Sequence, residues 1–167
     1  WERAPLSESI AGLVFTGLFL LAVNGFLTGL YESVRGHELG VLNFQAVAAA
    51  VEWLPWINAV LIGSILLYAF LIVKPRWNAP TLLVNILLSA GAAVIAYHLQ
   101  GVQPLVELGP EVAEQIEDPS KAEGAQRIFG MVNTSLRVAL VIIVIVSIWE
   151  VARDGWRLYL LGARRRV

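Results

Sequence analysis

Long apolar runs alternate with short polar interruptions along this chain. Four runs approach or reach the roughly 20 residues a helix needs to cross a hydrocarbon core about 30 Å thick. They predict membrane-spanning helices over 10–31, 56–73, 80–99 and 132–149. The first two hold no charged side chain, the third carries His98 at its end, and the fourth carries Arg137 near its start. Pro55 suits the first turn of the second helix, where a missing N–H costs nothing. The turn from Lys74 to Pro80 contains two prolines, so the second and third helices should form an antiparallel hairpin.

Two connections are longer. Within 32–54 the stretch 41–53 is apolar but too short to span, which predicts an interfacial helix on the outer face. The connection 100–127 is polar and holds Pro104, Pro110 and Pro119. A short helix is expected over 110–118, with Glu111 at its positive end, and a second segment from Ser120 leads into the fourth span. The tail 150–167 is basic. The fold class expected is all-α: a polytopic membrane protein of four transmembrane helices with an outer interfacial helix, forming a single membrane domain.

Composition supports this reading. The chain is 57% hydrophobic and 15% charged, with a mean hydropathy of +0.70. Soluble domains are usually about 45–50% apolar and about 25% charged, and here the excess sits in the long runs. A net charge of −1 gives no field that would attract nucleic acid. The absence of cysteine removes disulfides, thiolate metal sites, iron–sulfur clusters and a cysteine nucleophile together. The chain opens on Trp1, within a start too short and polar for a cleavable leader, so further sequence ahead of it is expected.

Charge sets the expected orientation, because cytoplasmic flanks are rich in Lys and Arg. The tail has a net charge of +3, the short turn holds Lys74 and Arg76, and the connection 100–127 has six acids against two bases. The tail and turn are therefore expected inside, both long connections outside, and both termini cytoplasmic in a cell inner membrane. Tryptophan favours the headgroup level. This topology puts Trp53 and Trp56 at the outer face, and Trp1, Trp77, Trp149 and Trp156 at the inner face.

Polar residues within spans are the first candidates for function, since a membrane makes them costly. Arg137 lies one turn into the fourth span; it is either a snorkelling interfacial arginine or a site for an anion, a lipid headgroup or a partner's carboxylate. Asn24, Asn58 and Asn85 sit in different helices and can bond across them or line a path. His98 is the one histidine in a span, a weak candidate for haem or pigment ligation. With Glu52 ahead of Pro55 and Glu150 placed at the inner boundary, no span holds a carboxylate, which argues against ion-coupled transport. Gly25 and Gly29, and the Ser89, Ala92, Ala93, Ala96 surface, allow close helix approach.

The fourth span is β-branched on nearly every side, from Val138 to Ile148, which suits wide lipid exposure. Its continuation reads as a membrane-surface helix with Arg153, Arg157, Trp156 and Tyr159, tied to anionic lipid by Arg164, Arg165 and Arg166. No Gly-x-Ser-x-Gly, His-Glu-x-x-His, phosphate-binding loop or dinucleotide fingerprint occurs. Asn133-Thr134-Ser135 fits a glycosylation acceptor but falls at the membrane edge.

Three features together resemble a known family: Trp56-Ile57-Asn58, the hairpin Lys74-Pro75-Arg76-Trp77-Asn78-Ala79-Pro80-Thr81, and the run from Trp149 to Tyr159. They resemble the transmembrane region of HAAS-type bacterial signalling proteins over about residues 5–160. In that family a small cytoplasmic helical domain precedes the membrane helices, often beside a PadR-like transcription regulator. The resemblance implies a non-enzymatic membrane anchor of a regulatory protein and brings no catalytic residues. A second expectation is an accessory subunit of a respiratory or photosynthetic complex, and a third is a small transporter. Expected partners are membrane lipids and other membrane subunits or further copies of the chain. No cofactor is expected.

Overall fold

The computed structural model describes residues 2–27, 44–46, 48–102, 104–108 and 119–163. The chain is an all-α, multi-pass membrane protein with four helices long and apolar enough to span a membrane. Three are α1 (Leu6–Leu27), α3 (Leu54–Val73) and α4 (Ala79–Gly101), and the fourth, α5, runs unbroken from Pro119 to Ala163. Packing follows the chain: α1 lies on α3, α3 on α4, and α4 on α5, the last contact being the most extensive.

The hairpin forms as its sequence dictates. Pro55 sits in the first turn of α3. Asn78 caps α4 reciprocally with Thr81: its side chain accepts from the Thr81 N–H at 2.9 Å, and its own N–H donates to Thr81 Oγ1 at 2.9 Å. Glycines set the closeness of the helices. A Cβ on Gly63 would lie 2.7 Å from Leu88 Cδ2, and one on Gly12 would meet the Tyr68 ring at 2.8–3.0 Å. These close approaches fall elsewhere than the expected Gly25 surface. Gly25 belongs to the last turn of α1, and Gly29 lies outside the described residues.

Two short antiparallel ladders close the ends. On one side β1 (Glu2–Arg3) pairs with β3 (Arg76–Trp77), and the Ala4 N–H donates to the Pro75 carbonyl at 3.1 Å. Ala4 is buried there with Leu67 and Leu71. On the other side β2 (Phe44–Ala46) pairs with β4 (Val106–Leu108). This corrects the interfacial helix expected over 41–53: its described part is a strand followed by a single turn, α2 (Ala48–Val51), that leads directly into α3. The physical reason is that 106–108 offers this stretch a backbone partner. The helix expected over 110–118 lies outside the described residues.

Cross-helix contacts show which levels correspond. Gly12 faces Tyr68, Gly63 faces Leu88, and Gly91 faces Val60, while Asn24 bonds Asn58. So α1, α3 and α4 stand side by side across one slab. Against α4, the pairs Asn85–Asp154 and Ser89–Glu150 fix the register of α5. Val138 is then level with Gly101, and Leu160 with Ala79.

The part of α5 alongside α4 is therefore about 138–160, which overlaps the apolar stretch 132–149 only in part. The tail from 150 is no separate surface helix, because α5 continues through it to Ala163. Trp149, expected at the inner headgroups, is level with Ala90, midway along α4. Arg164, Arg165 and Arg166 lie outside the described residues.

Candidate functional site: a polar seam between α4 and α5

The seam follows a heptad. On α4, Leu82, Asn85, Ser89, Ala92, Ala96 and Leu99 recur at alternating spacings of three and four, and all but the half-buried Ala92 are buried. On α5 the same spacing links Leu136, Leu140, Ile143, Ser147, Glu150, Asp154, Arg157 and Leu161, each buried or half-buried. This is the period of a left-handed helix pair whose facing side chains interlock. Of the expected small-residue surface, Ser89 meets Glu150 of α5, Ala96 is buried and Ala92 half-buried. The β-branched residues point away: Val138, Ile142, Ile145 and Ile148 are exposed on the bundle's outer face.

Two carboxylates lie on this seam. Asp154 is fully buried, at 0% exposure. Its Oδ2 accepts from Asn85 Nδ2 at 2.6 Å. Its Oδ1 accepts from Arg153 Nε at 3.1 Å and lies 3.5 Å from an Arg157 Nη1. One turn away, Ser89 Oγ donates to Glu150 Oε2 at 2.8 Å. Tyr68, its ring against the Gly12 backbone, lies within electrostatic reach of Glu150, Arg153 and Asp154.

Ser89 is ten residues into α4, about 15 Å along the helix at a 1.5 Å rise. Glu150 is therefore level with the middle of α4, and Asp154 about 6 Å nearer the start of α4. Both acids lie within Gln126–Ala163, the stretch of α5 long and apolar enough to span, and alongside α4 rather than past its end, so the boundary expected at Trp149, on which the argument against transport rested, is not where the helix pair ends. The charges of Glu150, Arg153, Asp154 and Arg157 cancel. Burial of an unpaired carboxylate in a low-dielectric medium is prohibitive. Here each acid has a donor from α4, and Asp154 has two arginines from its own helix.

Chemically, the arrangement holds two helices in one register through acceptor-only groups matched to an amide and a hydroxyl donor. Among the described residues no three metal-ligating side chains converge.

The other candidates are dispersed. Asn24 and Asn58 exchange amide hydrogen bonds of 2.7 and 2.9 Å, linking α1 to α3. His98 stacks on Trp53, with ring centroids 5.1 Å apart, and meets Tyr97 edge-on. Trp56 is exposed beside them at the same end of the slab, while half-buried Trp77 and exposed Trp156 lie at the opposite end. Asn133 anchors the β2–β4 ladder: its Oδ1 accepts from the Leu105 and Val106 N–H groups at 2.9 and 3.2 Å, and its Nδ2 donates to the Val106 carbonyl.

Sequence reading missed Glu150 and Asp154 because hydropathy ended the span at Trp149. The heptad running on from Ser147 through 150 and 154 was the signal that could have found them. Comparison with family models, with curated proteins and with solved structures finds no match to this chain.

Proposed function

We propose that the chain is a non-catalytic membrane domain that couples its two faces through α5, as the anchor of a regulatory or signalling protein. One observation carries this reading: α5 is a single 45-residue helix, about 67 Å long at 1.5 Å per residue and twice the hydrocarbon thickness. Asn133 ties one end of it to the β2–β4 ladder, and the Asn85 and Ser89 bonds clasp its other half. A rigid rod held at both levels transmits displacement or rotation from one face to the other. The resemblance to HAAS-type transmembrane regions supports the same reading. Residues 2–3, the 74–78 turn and the end of α5 also lie at one end of the bundle, and its basic residues favour the cytoplasmic side.

A specific observation favours an accessory subunit as the second reading. Met131 and Ile128 are 62% and 43% exposed, yet they lie about 10 and 15 Å beyond the level of Gly101 along α5. Apolar side chains exposed beyond the end of α4 favour a protein neighbour. The discriminating experiment is native purification in mild detergent, with mass spectrometry of everything that travels with the chain. Recovery alone, as a homo-oligomer, or with a transcription regulator supports the anchor. Stoichiometric recovery with a respiratory or photosynthetic assembly replaces it with the accessory subunit.

A further inference from the structure

We propose that the cavity beside Arg137 binds the anionic headgroup of a membrane amphiphile, a phosphodiester carrying acyl chains. The cavity has a volume of about 340 Å³ and lies where α4 ends against α5. Leu99, Leu105 and Leu140 form its apolar wall, and Gln100, Thr134 and Arg137 its polar side. The α4–α5 register sets Arg137 level with Val102, the residue that caps α4. That is where α4 ends, and an arginine at the end of a span reaches toward the headgroup level.

The arginines of this chain differ in what occupies them. Arg153 and Arg157 are held by Asp154. Arg137 has no hydrogen-bond or ion-pair partner among the described residues. Its guanidinium offers a fork of donors that matches two phosphate oxygens. The Thr134 hydroxyl already donates to the Gly130 carbonyl at 2.7 Å, so the charge of the anion falls to Arg137. A single cation matches a monoanionic phosphodiester. The leucine wall beside it accepts the first methylenes of an acyl chain, which a soluble anion lacks.

The test uses the intact chain in neutral detergent, titrated with phosphatidylglycerol or phosphatidylcholine and read by native mass spectrometry. One phosphatidylglycerol per chain should be retained in preference to phosphatidylcholine. Arg137→Gln should weaken that retention about tenfold or more, the scale of a lost charge-assisted pair. Arg137→Lys, which keeps the charge, should retain most of it, and Arg76→Gln at the opposite face should change nothing. Retention unaltered by Arg137→Gln, or equal for the two lipids, overturns the site. Glycerol phosphate is the competitor: displacement at concentrations comparable to the lipid's makes the ligand a soluble anion and overturns the amphiphile, whereas failure to displace supports it.

Discussion

The Asn85–Asp154 bond can be weighed by a double-mutant cycle. Asn85→Ala deletes the donor of a 2.6 Å bond to a fully buried carboxylate. Hydrogen bonds to charged groups contribute about 1.5–3 kcal/mol, whereas polar contacts between membrane helices average about 0.6 and reach about 1.7. The ionised acceptor and the complete burial place this pair at the upper end, so a coupling energy of about 1.5 kcal/mol is expected. Asp154→Ala should cost about 2 kcal/mol, less than the roughly 3–5 of a broken buried pair. The relief comes from Arg153 and Arg157, which are 41% and 33% exposed and can turn outward. Replacing both Asn85 and Asp154 by Leu should come out neutral or stabilising, since a well-packed apolar pair avoids desolvation altogether. Reversible unfolding in mixed micelles, followed by tryptophan fluorescence, measures each variant. A coupling energy below about 0.5 kcal/mol, the ordinary limit of additivity between independent sites, would refute the reasoning and mean that water solvates Asp154.

Further outcomes follow from the same contacts. Ser89→Ala should cost about 1 kcal/mol in that unfolding assay, and Glu150→Gln less, because the glutamine oxygen still accepts from Ser89. Gly12→Ala should destabilise by about 1–3 kcal/mol, since the added methyl meets the stiff Tyr68 ring. Gly17→Ala, with open space around it, should instead be neutral or gain up to about 1 kcal/mol of helix propensity; equal effects at the two glycines would contradict the packing of α1 on α3. Asn133→Ala should unfasten the β2–β4 ladder, seen as faster hydrogen exchange at the Leu105 and Val106 amides with little change in α1 or α3. Protection left intact there would show that the ladder holds without Asn133.

Much of the fold was legible because hydropathy and turn chemistry act locally. The hairpin is written in Pro55, Asn78 and Pro80, and the apolar runs leave α1, α3 and α4 no soluble alternative. Both ladders were illegible for the opposite reason. Strands of two and three residues carry no periodicity, and each exists because a distant segment meets it: residues 2–3 at 76–77, and 44–46 at 106–108. The Asn24–Asn58 bond was legible in kind, since an amide in a span seeks another. Its partner was not, because that depends on how α1 is set against α3.

The polar seam shows why charge misled the reading of the fourth span. Hydropathy treats Glu150, Arg153, Asp154 and Arg157 as four separate costs and ends the helix before them. In the folded chain they form a neutral group, and their positions extend the stripe of Leu140, Ile143 and Ser147 by the same alternation of three and four. The apolar run then overshoots the opposite boundary by the amount the seam occupies at this one. That offset has two consequences: Trp149 is level with the middle of α4 rather than with its end, and Ile128 and Met131 lie beyond the end of α4. The Asn85–Asp154 cycle therefore tests more than one contact. If Asp154 is held as the geometry has it, α5 cannot slide by a turn to bring Ile128 and Met131 alongside α4 without tearing a carboxylate from its donors.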